Sequence, residues 1–381
     1  MTYQTFYSPP RYRKYFKARP AQDANGVPVG HADVDAGFFP AGFDEFAKSA
    51  AGALSKMKIE EIIEQLDLVS GKFLDRGYDK RLRAVDAISK LTGFSGPAVE
   101  RCIDLEFGSS RAPGMRAALK NEFGDYGALD GFVYDEKLKG SFRVVPNAPV
   151  FAVCSSNIPA LPHLSIMRSF LTKNPLILKT SMAEPVFAPL YMEAFLESGL
   201  PLAECAIVLC YNRCEEGLTE RLIAGSRTVI AYGGPAAAGY FSKKVAPPKK
   251  LIMHPHKLGF GIIGKDFTRD IAPGGLAALA KSVVFDTVTF EQRACLAPHI
   301  YFYDESGNVP AGDFAAALLR EFEIAEKQVP PAVLSAEKSY ARRVYLVSAA
   351  FSPAVKKVFS TGGLRSAVIL AYPAEFFISP L

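Results

Sequence analysis

The chain has 381 residues, 49% hydrophobic and 22% charged, with 30 glycines and 27 prolines; this excludes disordered, collagenous and coiled-coil classes and allows two or three packed units. Lysine plus arginine exceed aspartate plus glutamate by 44 to 39, and Arg11, Arg13, Lys14, Lys17 and Arg19 fall within the first 19 residues, where no acid occurs. The rest of the chain is neutral, so a nucleic-acid partner held by a broad cationic face is excluded.

The basic arm is expected to be a solvated tail. From Phe38 to about Lys120, segments such as FDEFAKSAAGALSKM, IEEIIEQLDLVSGKFL and KRLRAVDAISKLTGF space apolar residues three and four apart. This predicts three or four helices in a region spanning residues 1–126. Residues 127–147 change to glycine-punctuated runs, GFVYD and GSFRVV, and read as a β-hairpin. Over residues 148–258 short apolar runs near Val150, Leu176, Cys205, Thr228 and Lys250 alternate with amphipathic stretches. Among these, ALPHLSIMRSFLTK lines up Leu161, Leu164, Met167 and Leu171. Such alternation predicts βαβ units, a parallel sheet and a dinucleotide-type domain. Residues 259–381 begin again with GFGIIG. A helix from about Pro273 to Phe285 and another over Ala311 to Glu326 follow, with RRVYLV and SAVILAY read as strands in a second α/β unit.

Six cysteines are present and none forms a C-x2-C pair, so no metal site is expected. Their placement in apolar runs suits a reducing cytoplasm. The longest uncharged stretch, Val144 to Met167, contains four prolines, two asparagines and His163, and reads as strand, loop and helix, not as a membrane span. No secretion signal is evident at the N-terminus. No G-x-G-x-x-G follows the first of these strands; the better phosphate candidate is YGGPAAAG, Tyr232 to Gly239, where glycines lead into a helix start. Cys295, in QRACLAPH, stands away from long apolar runs beside Arg293, whose charge, if turned toward the sulfur, favours a thiolate. Read alone, it is either an inert thiol or a nucleophile.

Three segments, SSNIPALPHLSIMRSFLTKNPLILKTS, YGGPAAAG and TFEQRACLAPH, resemble in order and spacing the acyl-CoA reductases of the bacterial luminescence type, a family of the aldehyde dehydrogenase superfamily. The resemblance implies an α/β, aldehyde-dehydrogenase-like chain. It would have two Rossmann-like domains, a helical N-terminal region and a hairpin that joins subunits into a dimer or tetramer. It also implies that Cys295 is the nucleophile, within Glu291, Gln292, Cys295 and Pro298, and that the Asn157 amide supports the oxyanion. Lys179 and Ser181 match the grip on the adenosine ribose, and Gly234 and Gly239 the glycine pair over the pyrophosphate. NAD-preferring members place a carboxylate where this chain has Met182, so NADPH (NADP) is the implied cofactor.

The glutamate that activates water in aldehyde-oxidising members falls near Met253, upstream of Lys257, where no acid occurs. His254 and His256 read as two histidines framing Pro255 at a strand end. The implied reaction is NADPH-dependent reduction of an acyl-CoA or acyl-carrier-protein thioester to the aldehyde. A cysteine acyltransferase, a thioester-binding protein without hydride transfer and an acyl-phosphate reductase stand as alternatives. A thioester donor also gives the basic arm a second reading, as a contact for CoA phosphates or an acidic carrier. Family members continue further beyond the nucleophile than residues 296–381 here, and Glu375 before Phe376 resembles only superficially the segment that holds the nicotinamide ribose. A compact member, a truncated product and a chain completed by a partner all stay open.

Overall fold

The computed structural model describes residues 2–23, 25–39, 41–272, 274–361 and 366–372. The described chain forms two compact units, one of residues 1–92 and 102–256, the other of residues 93–101 and 257–381. Glu375 and Phe376 lie outside the described residues.

Unit 1 opens with strands β1 (Tyr3–Gln4), β2 (Phe16–Gln22) and β3 (Pro28–Val34), which form a small sheet in the order β1-β3-β2. The basic segment is therefore not a tail. Tyr3, Phe6, Tyr7, Tyr12 and Phe16 are all buried, because aromatic residues interleave with the cations and a solvated arm would leave them in water. Tyr7 exchanges backbone hydrogen bonds of 2.9 and 2.8 Å with Val208. Arg11 pairs with Glu45, and Arg19 with Glu215 at 3.3 Å. Five helices follow in sequence: α1 (Gly42–Lys56), α2 (Ile59–Leu74), α3 (Asp79–Thr92), α4 (Gly96–Ser109), whose residues 96–101 belong to unit 2, and α5 (Ala112–Phe123). Helices α1, α2 and α3 coincide with the three periodic segments, and the count exceeds the three or four expected because the stretch after them divides into α4 and α5 at a break over residues 110–111. Strands β4 (Val133–Asp135) and β5 (Gly140–Phe142) pair antiparallel.

The centre of unit 1 is a five-stranded parallel sheet. Its strands are β6 (Val150–Val153), β7 (Leu176–Lys179), β8 (Ala206–Leu209), β9 (Thr228–Gly233) and β10 (Lys250–Pro255). Between them run α6 (Pro162–Leu171), α7 (Phe187–Glu197), α8 (Glu216–Gly225) and α9 (Pro235–Lys244). The spatial order β10-β9-β6-β7-β8 puts the reversal of winding between β6 and β9. In such sheets ligands bind outside the carboxyl ends of the strands at that reversal. Strand β8 is buried at every residue, as expected where both faces are covered. Helix α6 packs against α2 and α7 as well as β7. It buries His163, Ser165, Ile166, Ser169 and Phe170, while Leu164 and Met167 of the expected apolar face are only partly covered. A helix enclosed on several sides does not show its core face by hydrophobicity alone.

In unit 2, β11 (Gly259–Ile263) pairs parallel with β12 (Pro298–Tyr303). Helices α10 (Lys265–Arg269) and α11 (Gly275–Val288) lie between them in sequence. Helix α11 packs on α12 (Ala311–Gln328) around Ile263, Val283, Val284, Phe314, Leu318 and Phe322. RRVYLV is not a strand: it lies within α13 (Ala336–Ala350). The Ser335 side chain caps that helix by accepting from Lys338 N at 3.2 Å, and Ala, Glu, Lys and Arg fill it. The strand falls instead at β13 (Val355–Ser360), antiparallel to β14 (Ala367–Ala371). Among the described residues no helix is long and apolar enough to cross a membrane.

Candidate active site

Five of the six residues singled out from the sequence gather at the carboxyl edge of the parallel sheet in unit 1. Asn157 lies in the loop after β6, Lys179 ends β7 and Ser181 follows it, and Gly234 and Gly239 begin and continue α9 after β9. The Ser155 hydroxyl donates to Asn157 Oδ1 at 2.5 Å.

His163, a core histidine, fixes the far end of the same loop. Its Nδ1 lies 3.0 Å from the Ala160 carbonyl, which can only accept, so Nδ1 carries the hydrogen; Nε2 then accepts the Ser110 hydroxyl at 3.0 Å. Ala160 sits in the left-handed region at φ 63°, a conformation that costs a residue with a Cβ and that this hydrogen bond helps hold. Burial pushes the His163 pKa down to about 4, with the Ala160 bond acting in the opposite sense and Arg168 adding to the decrease. Glu106 Oε2 stands 3.9 Å from Nδ1, and burial raises that carboxyl.

A depressed histidine destabilises the fold as pH falls, because the unfolded chain takes up a proton near the ordinary histidine value of 6.5 that the folded chain refuses until about 4. Wild-type unfolding free energy is therefore expected to fall by about 3 kcal/mol more than that of His163→Gln between pH 7 and pH 4. Urea denaturation at stepped pH measures this; parallel curves for the two proteins contradict the assignment. Glu106, whose raised carboxyl acts in the opposite sense, is common to both.

Lys179 is half-buried, with its ammonium 4.8 Å from the centre of the Tyr211 ring and 3.4 Å from the Thr180 carbonyl. Burial lowers its pKa. Met182 packs its sulfur 3.4 Å from Cys210. An acid does stand close by in sequence, Glu184, but it is fully enclosed. Its Oε1 accepts from Val186 N and Phe187 N, both at 2.9 Å, at the start of α7. This carboxylate closes a helix end, and spacing alone did not single it out.

At the β9 to α9 turn, Cβ atoms built at Gly234 or Gly239 would meet nothing within 4 Å, so both backbone surfaces are open. Gly233 is the constrained glycine, since a Cβ there would come within 2.7 Å of Ala237 Cβ. Nothing in the sequence marks it, because its partner lies one helical turn on. Open glycine backbone at the start of α9, at the winding reversal and on the same sheet edge as Lys179 two strands away, fits a dinucleotide. Tyr232 and His254 stack at 4.5 Å on adjacent strand ends. Met253 lies in β10 opposite Ala231.

Cys295 lies in unit 2, in the segment joining α11 to β12. The turn over residues 294–297 is closed by Ala297 N donating to Ala294 O at 3.0 Å. Ala294 and Ala297 are buried while Cys295 is exposed, so the thiol stands at the tip. Cys102, Cys154, Cys205 and Cys210 are buried, and burial pushes the last three up to about 12, 12 and 11, making them poor nucleophiles. Cys214 is the other exposed thiol. Arg293 lies 4.2 Å from the centre of the Phe94 ring and pairs with Glu291 at 3.3 Å.

Residues 54–381 match the family described as acyl-CoA reductase (LuxC). The chain belongs to that family. A long-chain acyl-protein thioester reductase 2 of Photobacterium leiognathi is 22% identical to this LuxC-family chain over 280 residues, covering 72% of the chain and 56% of the relative. A long-chain acyl-protein thioester reductase of Aliivibrio fischeri is 27% identical over 184 residues, 48% of the chain and 36% of the relative. The chain thus spans little more than half of the first of these and about a third of the second.

Among solved structures, aldehyde dehydrogenase 21 from Physcomitrella patens in complex with the reaction product succinate superposes with a TM-score of 0.64 at 15% identity. The match covers 91% of this chain and 71% of that one. NADP-dependent glyceraldehyde-3-phosphate dehydrogenase from Bacillus halodurans C-125 complexed with NADP gives 0.60 at 16%, covering 94% and 74%. The fold of this LuxC-family chain is therefore the α/β fold of aldehyde dehydrogenases.

Proposed function

We propose that the chain is an NADPH-dependent acyl-thioester reductase, acting on a long-chain acyl group carried by coenzyme A or a carrier protein. The observation that carries this reading is the exposed Cys295 at the tip of a tightly held turn, within the segment that matches the family. The Cys295 thiolate attacks the thioester carbonyl, the carbon–sulfur bond to the carrier breaks, and the carrier leaves as a protonated thiol. Asn157 donates its amide NH2 to the oxygen on which charge develops. The nicotinamide, when bound, would supply the hydride that, together with a proton from water, takes the Cys295 thioester to a hemithioacetal. Loss of the Cys295 sulfur with return of its proton then frees the aldehyde.

Lys179 and Ser181 hold the adenosine ribose and its 2′-phosphate, and Gly234 and Gly239 receive the pyrophosphate. The engagement of Glu184 with α7 supports NADPH, because it removes the nearest acid from the ribose side. The apolar side chains of Phe260, Ile262 and Phe302, exposed on β11 and β12, support a long acyl chain as substrate. In the β4–β5 region Phe132, Tyr134, Leu138 and Val145 are exposed, which supports a homo-oligomer joined through this hairpin. Sedimentation velocity is expected to give a dimer or tetramer, and a monomer at micromolar concentration contradicts that assembly. Predominantly buried free thiols suit a cytoplasmic protein.

The deciding experiment is intact mass spectrometry after incubation with acyl-CoA and acyl-carrier-protein thioesters of several chain lengths, together with calorimetric titration of NADPH and NADH. An acyl adduct mapped to Cys295 and tighter NADPH binding are expected. An adduct without binding of either nucleotide would instead mark an acyltransferase.

A further inference from the structure

The segment that carries Cys295 contains a backbone feature that its sequence does not advertise. Helix α11 ends with Gln292 N bonded to Thr287 O at 3.2 Å and Glu291 N bonded to Val288 O at 3.1 Å. This pair of bonds is the helix stop in which the residue after the cap adopts a left-handed conformation, a place usually taken by glycine. Here that residue is Glu291, at φ 49°, and Gln292 follows at φ 59°. Two consecutive residues with Cβ atoms therefore occupy a conformation that glycine would adopt without strain.

The glutamate side chain makes contacts that glycine cannot. Its carboxylate accepts from Ala332 N at 2.6 Å and pairs with Arg293 at 3.3 Å. Gln292 Nε2 donates to the Pro298 carbonyl at 3.0 Å, across the turn that bears the thiol. Behind the turn, a Cβ at Gly259 would come within 2.5 Å of the Ala297 carbonyl oxygen and 2.8 Å of that of Leu296, so β11 presses directly on its backbone. Arg293 closes the remaining side over Phe94.

We propose that Glu291 is a positioning residue for Cys295: by anchoring on the Ala332 N–H it holds the strained end of α11, and with Gln292 it fixes the turn 294–297 so that the thiol projects outward. This inference rests on Cys295 being the reacting thiol. The charge on the carboxylate is secondary to its oxygen, since a neutral amide oxygen can accept the same backbone bond.

Glu291→Gly separates positioning from stability, because it relieves the backbone strain while removing the anchor. Two rates are read: alkylation of Cys295 by iodoacetamide relative to exposed Cys214, resolved by peptide mass spectrometry, and single-turnover acylation by a long-chain acyl-CoA. For Glu291→Gly the alkylation ratio is expected to fall at least about threefold and acylation about tenfold, with a melting temperature within about 3 °C of wild type. Glu291→Gln is expected to restore both rates, since its amide oxygen still reaches Ala332. An unchanged alkylation ratio in Glu291→Gly overturns the proposal, as does equal loss of rate and thermal stability in both variants. The alkylation ratio needs no acyl substrate. Absence of an acyl adduct on the wild-type chain would thus strike the reductase reading alone, leaving the positioning claim to be decided by iodoacetamide.

Discussion

Cys295→Ala is expected to form no acyl adduct and to lower thioester-dependent NADPH oxidation by at least about 10³-fold, because no other side chain replaces a thiolate as covalent nucleophile. The thiol is exposed at a turn, so the substitution removes little packing, and thermal stability should stay within about 0.5 kcal/mol of wild type. Cys214→Ala serves as the matched control: that thiol is also exposed but lies in the Asn212–Glu215 turn of unit 1, and its loss should leave turnover unchanged. Intact mass and NADPH absorbance measure both variants. Full turnover by Cys295→Ala would remove the covalent mechanism.

Phe107→Ala is expected to cost about 3–5 kcal/mol of unfolding free energy, the range for deleting a fully enclosed aromatic ring. Phe107 has no solvent exposure, stacks on Phe73 at 5.0 Å and lies 4.6 Å from the His163 ring, with Phe187 and Tyr191 at 5.9 and 5.6 Å. The cavity would open beside the histidine whose Nδ1–H holds Ala160 and, through that loop, Asn157. The variant should therefore lose acylation rate at temperatures where it remains folded. Guanidinium denaturation gives the stability change, and a loss below about 1 kcal/mol would show that the aromatic cluster repacks around the gap.

The five parallel strands of unit 1 were legible because each is a short apolar run between helical stretches, and a sheet covered on both faces needs nothing subtler. The hairpin region and the Cys295 segment were legible from glycine punctuation and from motif resemblance. The basic arm was misread for a physical reason. Charge counts register Arg11 to Arg19, while the aromatic residues between them decide that the segment folds, and their partners range from Phe38 and Phe46 to Val208, which bonds Tyr7 from far along the chain. RRVYLV was misread because four apolar residues in six fit a strand as well as a helix; Ser335, seven residues before Arg342, supplies the cap that decides.

The sequence by itself determined the α/β class and the order of the parallel strands along the chain, since these depend on local periodicity, and through motifs a few residues long it pointed to Cys295 as a candidate. Tertiary structure alone decided which glycine is sterically required, where Glu184 spends its carboxylate, which tautomer His163 adopts and why a glutamate ends α11. Each of those depends on a close approach that spacing cannot reveal: Ala237 on Gly233, the two backbone N–H groups on Glu184, the Ala160 carbonyl on His163, and the Ala332 N–H on Glu291.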